Sequence, residues 1–545
     1  MYEGVYVATE FPIDLDLVER VEVIRGPGSA LYGTDAFLAV INVITKRGSD
    51  FQGAEISGSA ASRQTFQARA TYGDQPEHGP QVLFSGTFYH SLGNHQLYYP
   101  EFNSRETNNG YAVDPDGEAA RTFFASAQYG DFAFEGVYGS RSKTVPTAPY
   151  GTVFNGPRTR TTDAHGYVDA QYDHTLASGW ELWGHLAFDQ YNYQGTYVID
   201  ILGTGVAPFT LNEDFAIGQW FTLAFDVSRV IHEQHHVTLG TEERWNTKQN
   251  QENYNLDPYE LHLNDRRSSV DASFYAQDEY SVRTNLILMG GLRFDHDSRF
   301  GSSFNPRVGM IYNPWKKTTL KILYGQAFRA PNVFEMFYAD GVSSKANPYL
   351  NPEKIKTAEV VFEQFFTKHT HFTAAGFYNR ISDLISEETD PTDGRLQFVN
   401  WQKVSGKGLD LELAGKWPSG WQGRLAYTLE DTRDQLTGTR LSNSAKHLAK
   451  IDLTAPLIRR RLFASFDSQY LSARQTIDGG RAGAYFVANA TIFAPLAVKG
   501  LTVSASAYNL FDRRYADPGG PEHQQAALPQ DGRTVALKLT YRFGE

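Results

Sequence analysis

The sequence predicts an all-β fold, a closed 22-stranded antiparallel transmembrane β-barrel that follows a small N-terminal element. Three observations lead to this fold class. Apolar residues alternate with small or polar ones along most of the 545 residues, and this period of two is typical of strands with two different faces. Short and long connections join the segments in turn. Aromatic residues make up 14% of the chain, with 31 Tyr and 36 Phe, and Tyr is enriched where membranes meet water.

Composition and charge exclude several other classes. No stretch approaches the run of about 20 apolar residues that a membrane-spanning helix needs, whereas a barrel strand presents only every second residue to lipid. The 50 basic and 62 acidic residues give a net charge of −12, which argues against nucleic acid as a partner. The basic run Arg459 to Arg461 is expected to form a tight turn.

The last alternating segment shows the pattern most clearly. Val535, Leu537 and Leu539 face one way, which suits lipid, while Lys538 and Arg542 face the other way, which suits a wet lumen. Twenty-two such segments are found, and closed antiparallel bacterial barrels have an even strand number. They begin near residues 53, 63, 80, 120, 132, 163, 179, 216, 235, 268, 285, 304, 318, 355, 370, 396, 421, 446, 459, 483, 501 and 533.

The connections between these segments support a membrane barrel over a soluble all-β protein. Bacterial barrels have short periplasmic turns and long extracellular loops. Short turns are predicted at Gly130, Leu176, His232, Arg283, Asn313, Thr367, Pro418 and Ala497. The long loops are predicted at 92–119, 142–162, 194–215, 247–267, 330–354, 381–395 and 512–532. A propeller would show a repeat of about 40 to 50 residues, and none is visible.

A small globular element precedes the barrel. Residues 18–48 are predicted to form two short strands around a Gly-rich turn, with Val21, Val23 and Arg25 alternating in the first strand. A nucleotide-binding loop is excluded because Leu31 stands where the third glycine of G-x-G-x-x-G belongs, and a strand follows where a helix is required.

This segment, ERVEVIRGPGSALYG followed by AVINVITKRG, resembles the C-terminal half of the plug domain of TonB-dependent outer-membrane receptors. Three barrel segments resemble the same family, so the resemblance covers essentially the whole chain. They are FRAPNVFEMFY at Phe328 to Tyr338, NPYLNPEKIKTAE at Asn347 to Glu359, and YNLFDRRY at Tyr508 to Tyr515.

The resemblance implies a monomeric barrel in the Gram-negative outer membrane, closed by a plug, with ligand held between extracellular loops and plug apex. Release into the periplasm would be driven by the TonB complex of the inner membrane. Residues 1–50 would be the C-terminal part of the plug, and residues 51–545 the barrel with long extracellular loops. The plug is expected to be N-terminally truncated, without the family's TonB contact box, and Gly544 and Glu545 follow the terminal Phe543.

No catalytic constellation stands out, and neither enzymatic activity nor a cofactor is predicted. His232, His235 and His236 lie at a predicted periplasmic turn with Glu233 as the nearest carboxylate in sequence. A solvated turn is therefore favoured over a metal site, and no metal is predicted.

Two groups of residues are candidates for ligand binding. Loop aromatics could stack on a planar chelate or belong to the interfacial aromatic girdle; they are Tyr98, Tyr99, Phe102, Tyr254 and Tyr259. Arg25 and Arg329 could attract an anionic ferric chelate. The alternative for Arg25 is a salt bridge between plug and barrel, or with Glu22.

The predicted function is active uptake of a metal chelate, first of all a ferric siderophore. A cobalamin or haem receptor of the same family is the alternative; haem ranks lower because residues 332–346 contain no His, where haem receptors of the family carry one. A passive porin-like channel is the rival if the plug is incomplete. A surface-binding barrel used by phage or toxins is a third hypothesis.

Overall fold

The computed structural model describes residues 8–203, 205, 208–458, 461–495 and 498–544. Twenty-two antiparallel strands form one closed barrel, in which the last strand, Thr534–Arg542, pairs with the first, Gly53–Ala61. The predicted fold class is therefore confirmed. The predicted turns at Arg459 and Ala497, together with Met1 and Glu545, lie outside the described residues.

Every predicted segment coincides with one strand of the barrel wall. The strands are Gly53–Ala61, Thr65–Asp74, Gln81–Ser91, Glu118–Tyr129, Phe132–Thr144, Arg160–Thr175, Trp180–Ile199, Thr210–Ile231, His235–Leu256, Tyr259–Arg283, Leu286–Asp297, Gly301–Trp315, Thr318–Arg329, Glu353–Thr367, Thr370–Thr389, Leu396–Lys416, Gln422–Asp434, His447–Ile458, Leu462–Leu471, Tyr485–Pro495, Leu501–Tyr508 and Thr534–Arg542. The first strand begins, and the last one ends, at the end of the barrel that carries the short turns.

The two faces of the wall have the chemistry that the alternation predicted. Val535, Leu537 and Leu539 are exposed on the outside. Lys538 and Arg542 of the same strand point to the other side, into the barrel. There Lys538 pairs with Asp16, and Arg542 pairs with Glu55 at 2.9 Å. A lipid-facing apolar surface and a polar interior follow from this period of two.

The predicted loop 247–267 is wrong. The strands His235–Leu256 and Tyr259–Arg283 continue through this region and are joined by Asp257 and Pro258 alone. Gln249, Gln251 and Asn253 lie in this region, and their side chains are buried within the described structure. Strands also extend into the predicted loops 142–162, 194–215 and 381–395, which are shorter than expected. The loops at 92–117, 330–352 and 509–533 are long, as predicted.

Helices are short and few in the described chain. The α-helices there are Ser29–Tyr32 and Val333–Phe337. Short 3-10 turns cover Ala8–Glu10, Leu15–Leu17, Gly48–Asp50, Pro100–Phe102, Asn108–Gly110 and Pro149–Gly151. Small loop strands are Gln96–Tyr98, Tyr111–Val113, Ser344–Lys345, Arg474–Gln475, Arg481–Ala482, Ala516–Pro518 and Ala527–Pro529. Within the described ranges, no helix is long and apolar enough to cross a membrane.

Residues 8–52 form what we call the N-terminal unit. Its strands Val18–Arg25 and Ala39–Thr45 pair with each other in an antiparallel sheet that is separate from the barrel sheet. The Gly-rich turn between them contains the helix Ser29–Tyr32, so the predicted pair of strands is confirmed. A two-stranded sheet alone is marginally stable in water, and contacts with the barrel must therefore hold it in place.

One contact point is a buried arginine of the barrel wall. Arg293 is 2% exposed; its guanidinium donates to the carbonyl of Leu31 in the N-terminal unit at 3.1 Å and to the Asp295 carboxylate at 2.7 Å. Gly33 lies against it with φ of 72°, and a Cβ there would be 2.8 Å from Arg293 Nη2. Only glycine satisfies both the backbone angle and the space at this position.

A second contact point lies on the opposite flank of the unit. Arg69 of the barrel donates to Asp16 at 3.1 Å and to Glu55 at 2.6 Å. An apolar cluster joins the same region, in which residues of the unit pack against inward-facing residues of the wall; its members are Ile13, Leu17, Phe51, Leu83, Phe124 and Val137. The N-terminal unit is thus held inside the barrel by both charge and apolar packing.

Candidate ligand site

A cavity of about 1020 Å³ lies at the end of the barrel that carries the long loops. Wall strands, the loop 330–352 and the N-terminal unit all contribute to its lining, the last through Glu10 and Asp35. The volume matches the range of roughly 300 to 1,000 Å³ typical of small-molecule sites. A separate hollow of about 1090 Å³ beside Ala8–Asp16 lies along the first and last strands.

Tyrosines and one tryptophan form one side of the cavity. Tyr193 and Tyr197 meet through their hydroxyl groups at 2.5 Å, and Tyr191 donates to the Asp163 carboxylate at 2.7 Å. Gly195 makes room for this pair, since a Cβ there would lie 2.5 Å from the Tyr197 ring. Trp220 lies under the Arg244 guanidinium, 4.6 Å from its ring centroid. This side lines the cavity with tyrosine rings, whose polar ends are engaged with each other and with Asp163.

Carboxamides form the other side. Asn212 and Asn253 donate to each other at 2.7 and 3.0 Å, and Asn253 also donates to the Tyr338 hydroxyl at 3.1 Å. Tyr338 in turn donates to Asp214 at 3.0 Å. Burial, reinforced by the Asp214 and Asp340 carboxylates, raises the pKa of the Tyr338 phenol. The phenol therefore stays protonated, and the network holds the loop onto the wall.

The segment that carries Tyr338 is fixed by Arg329. Its guanidinium donates to Glu353 at 2.7 Å and, through two nitrogens, to Glu335 at 3.0 and 3.1 Å. Glu335 belongs to the helix Val333–Phe337, whose first turn is capped by Asn332. The helix places Phe334 and Tyr338 at the cavity. Arg329 itself does not line the cavity, so its place in the structure is that of an anchor.

Arg25 lies away from the cavity as well. It faces Asp410 and Glu412 of the wall strand Leu396–Lys416, each at 3.8 Å. Glu22, the partner considered from the sequence, instead accepts from Arg20 at 2.8 Å. The structure therefore places Arg25 in a bridge between the N-terminal unit and the barrel, and it does not bring Arg25 and Arg329 together.

The five candidate aromatics fall into two separate places. Tyr99 and Phe102 are buried in a cluster inside the loops 92–117 and 145–159, where Phe102 stacks on Phe154 at 4.3 Å. Tyr98 is 44% exposed and contacts Tyr111. The rings of Tyr254 and Tyr259 contact each other, with 5.7 Å between their centroids. They lie on the strand face opposite to the cavity-lining Asn253 and Asn255. None of the five lines the cavity.

We expect the replacement of Phe102 by Ala to loosen the loop core by about 3 kcal/mol, because a buried ring is removed from a packed cluster. Hydrogen exchange of the amides in 92–117 should become faster, whereas Tyr98→Ala, at an exposed ring, should change exchange little. Equal exchange in wild type and Phe102→Ala would show that the cluster does not hold the loop.

One histidine of the predicted turn, His235, has a carboxylate partner that the sequence did not suggest. His235 lies 2.7 Å from the Asp278 carboxylate and stacks on Tyr280 at 4.3 Å. Asp278 is on the neighbouring strand, more than forty residues along the chain. The described residues contain no group of three or more potential metal ligands.

The residues that line the cavity were missed in the sequence because they lie within strands. Their signal was the alternation itself: Tyr191, Tyr193 and Tyr197 share one strand face, with Gly195 between them. In strands that extend beyond the bilayer, the inward face is covered by loops, and sequence alone does not show which loops cover it.

A closed barrel with a polar interior, an internal unit and a loop-covered cavity defines the class of outer-membrane transport receptors. The chain belongs to the TonB-dependent receptor-like β-barrel family, whose model matches residues 99–510. It is an outer-membrane protein of this family, with strands as its membrane-spanning elements.

Solved structures of similar fold cover nearly the whole chain. The FrpB iron transporter from Neisseria meningitidis is 17% identical, with a TM-score of 0.73 over 97% of this chain and 88% of that one. The ferric-catecholate import receptor Fiu from E. coli is 16% identical, with a TM-score of 0.74 over 96% and 86%. The ferric enterobactin receptor PfeA from Pseudomonas aeruginosa, as a double mutant, is 17% identical, with a TM-score of 0.76 over 97% and 86%. At these identities the likeness concerns the fold.

Proposed function

We propose that this protein is a receptor for active uptake of a ferric siderophore, which binds in the cavity of about 1020 Å³ and passes through the barrel when the N-terminal unit moves. The observation that carries the proposal is the shared lining of the cavity. Asp35 of the N-terminal unit and Tyr338 of an extracellular loop both face it, so a ligand would touch the very segment that has to move.

The remaining parts of the proposal follow from the family and the sheet. Residues 1–50 act as plug and residues 51–545 as barrel, and the TonB complex of the inner membrane supplies the energy. A monomer is proposed because the closed barrel leaves no unpaired strand edge among the described residues. The protein acts as a receptor without a catalytic step. The structures of similar fold include an iron transporter and a ferric enterobactin receptor, which supports an iron chelate over cobalamin or haem.

Tryptophan fluorescence of the purified protein tests the proposal. Trp220 lines the cavity, so a bound ferric chelate should quench its emission in a saturable way. Ferric siderophores, cobalamin and haem are titrated in turn. Trp220→Phe should remove most of the quenching while calorimetry still detects binding. Trp315→Phe, at a ring that is 71% exposed near a short turn, should leave the quenching unchanged. Absence of saturable binding by every ferric chelate would refute the proposal.

A further inference from the structure

The cavity is unusually acidic for a site that would hold an anionic chelate. Seven of its lining residues are Asp or Glu, and one is Arg. The two arginines considered from the sequence do not contribute to the lining, because Arg25 and Arg329 are each bound to two carboxylates elsewhere. Arg141 pairs with Glu10 at 2.7 Å, but the remaining carboxylates of the lining still outnumber Arg244, so the field inside the cavity is expected to be negative.

Two of these carboxylates are held by neutral donors only, as far as the described chain shows. Asp163 accepts from the Tyr191 hydroxyl, and Asp340 accepts from the backbone N–H groups of Val342, Ser343 and Ser344. Neither has a Lys or Arg nitrogen within 4 Å among the described residues. Hydrogen bonds from neutral donors orient a carboxylate and leave its charge in place.

A second observation points to a ligand. The side chain of His262 lines the cavity and is only 9% exposed, yet its Nε2 has no hydrogen-bond partner in the part of the chain that the structure describes. The nearest acidic group, Glu260, is 3.9 Å away. Buried polar atoms are normally paired, so this nitrogen is available to a polar group of a bound molecule.

The aromatic side of the cavity suits a cation for a further reason. Aromatic faces attract organic cations, most strongly when the site is shielded from water. The Tyr197 ring lines the same space as Asp163 and Asp340, whereas Trp220 is already covered by the Arg244 guanidinium. Carboxylates together with aromatic faces are the groups that bind an ammonium ion.

We propose that the ligand is a neutral or positively charged ferric chelate of the trihydroxamate kind, carrying an ammonium arm, and that the cavity discriminates against trianionic tricatecholates. Three hydroxamates balance the charge of Fe(III), whereas three catecholates leave a charge of −3 on the chelate. This inference rests on the proposed function and adds the sign of the ligand's charge. Asp163 and Asp340 are the carboxylates that would attract the ammonium group into the cavity.

The test compares three ferric chelates on the full-length protein by calorimetry. They are a trihydroxamate with a free ammonium arm, the same compound with that amine acetylated, and a tricatecholate. We expect the ammonium form to bind about tenfold or more tighter than the acetylated form, since like or opposite charge at a desolvated site changes affinity strongly. Tricatecholate should bind weakest, and the preference should shrink in high salt.

Isosteric variants show whether the named carboxylates cause the preference. The double variant Asp163→Asn, Asp340→Asn keeps one acceptor oxygen at each position and removes both charges; it should reduce the preference for the ammonium form to about threefold or less, while binding of the acetylated chelate stays the same. Asp131→Asn, near a short turn at the opposite end of the barrel, is the matched control and should change nothing. A persistent preference in the double variant, or tightest binding by tricatecholate, would overturn the inference and leave the siderophore receptor standing. Failure of all three chelates to bind would overturn both.

Discussion

Replacement of Arg293 by Ala is expected to release the N-terminal unit from the barrel wall and to lower its free energy of unfolding by about 3 to 5 kcal/mol, the range measured when one member of a buried ion pair is removed. Arg293 is the shared partner of the Leu31 carbonyl, the Asp295 carboxylate and the Ser273 hydroxyl. Without it, the partly buried Asp295 loses its cation, and the turn at Gly33 loses its support.

The consequence should be visible in ion flow as well as in stability. A barrel of 22 strands is wide enough to conduct when its lumen is not occluded, so planar bilayers with Arg293→Ala should show large open levels more often than wild type. Unfolding in urea should show an earlier transition for the N-terminal unit. Arg433→Ala is the control, because its ion pair with Asp431 is exposed and should contribute less than about 1 kcal/mol. A closed baseline and an unchanged transition in Arg293→Ala would contradict this prediction.

Replacement of Arg329 by Ala is expected to have the second large effect, on the extracellular side. Its guanidinium is bound to both Glu335 and Glu353, and these two carboxylates are buried. Their mutual repulsion should destabilise the loop 330–352 by about 3 to 5 kcal/mol. The helix Val333–Phe337 would leave the wall, and with it Phe334 and Tyr338 at the cavity.

Ligand affinity should therefore fall although Arg329 does not line the cavity. We expect a decrease of at least about tenfold in the affinity for the chelate that binds wild type, together with faster hydrogen exchange in 330–352. Arg329→Lys should restore part of the affinity, because one of the two carboxylates can still be paired. If affinity fell without any change in exchange, Arg329 would act on the ligand directly, as the sequence had suggested.

Residues 247–267, predicted as a loop, belong to two strands of the barrel wall and the short turn between them. The strand His235–Leu256 carries Gln249, Gln251 and Asn253 at alternate positions, and such polar residues normally indicate a loop. They are buried because the loop 330–352 covers them, with Gln251 donating to the Val333 carbonyl at 3.2 Å. That cover comes from a segment about eighty residues away, which a local pattern does not reveal.

The sequence left open whether Arg25 and Arg329 bind a ligand or carboxylates of the protein. A salt bridge between plug and barrel was one of the interpretations of Arg25, but its partners could not be named because they lie on a distant strand. Asp410 and Glu412 face Arg25, and Glu353 and Glu335 face Arg329. Whether a guanidinium binds a ligand or a wall carboxylate depends on which strands are neighbours, and register decides this.

The sequence by itself determined the number of strands, their two faces and the pairing of the N-terminal unit. These properties depend on a period of two and on turn residues, which act over a few neighbouring positions. The tertiary structure alone decided which residues form the cavity, that Arg25 and Arg329 are anchors, and that the site is acidic. These properties arise because closure of the barrel brings distant strands and loops together, and the burial and ionic partners of a side chain are set by that assembly.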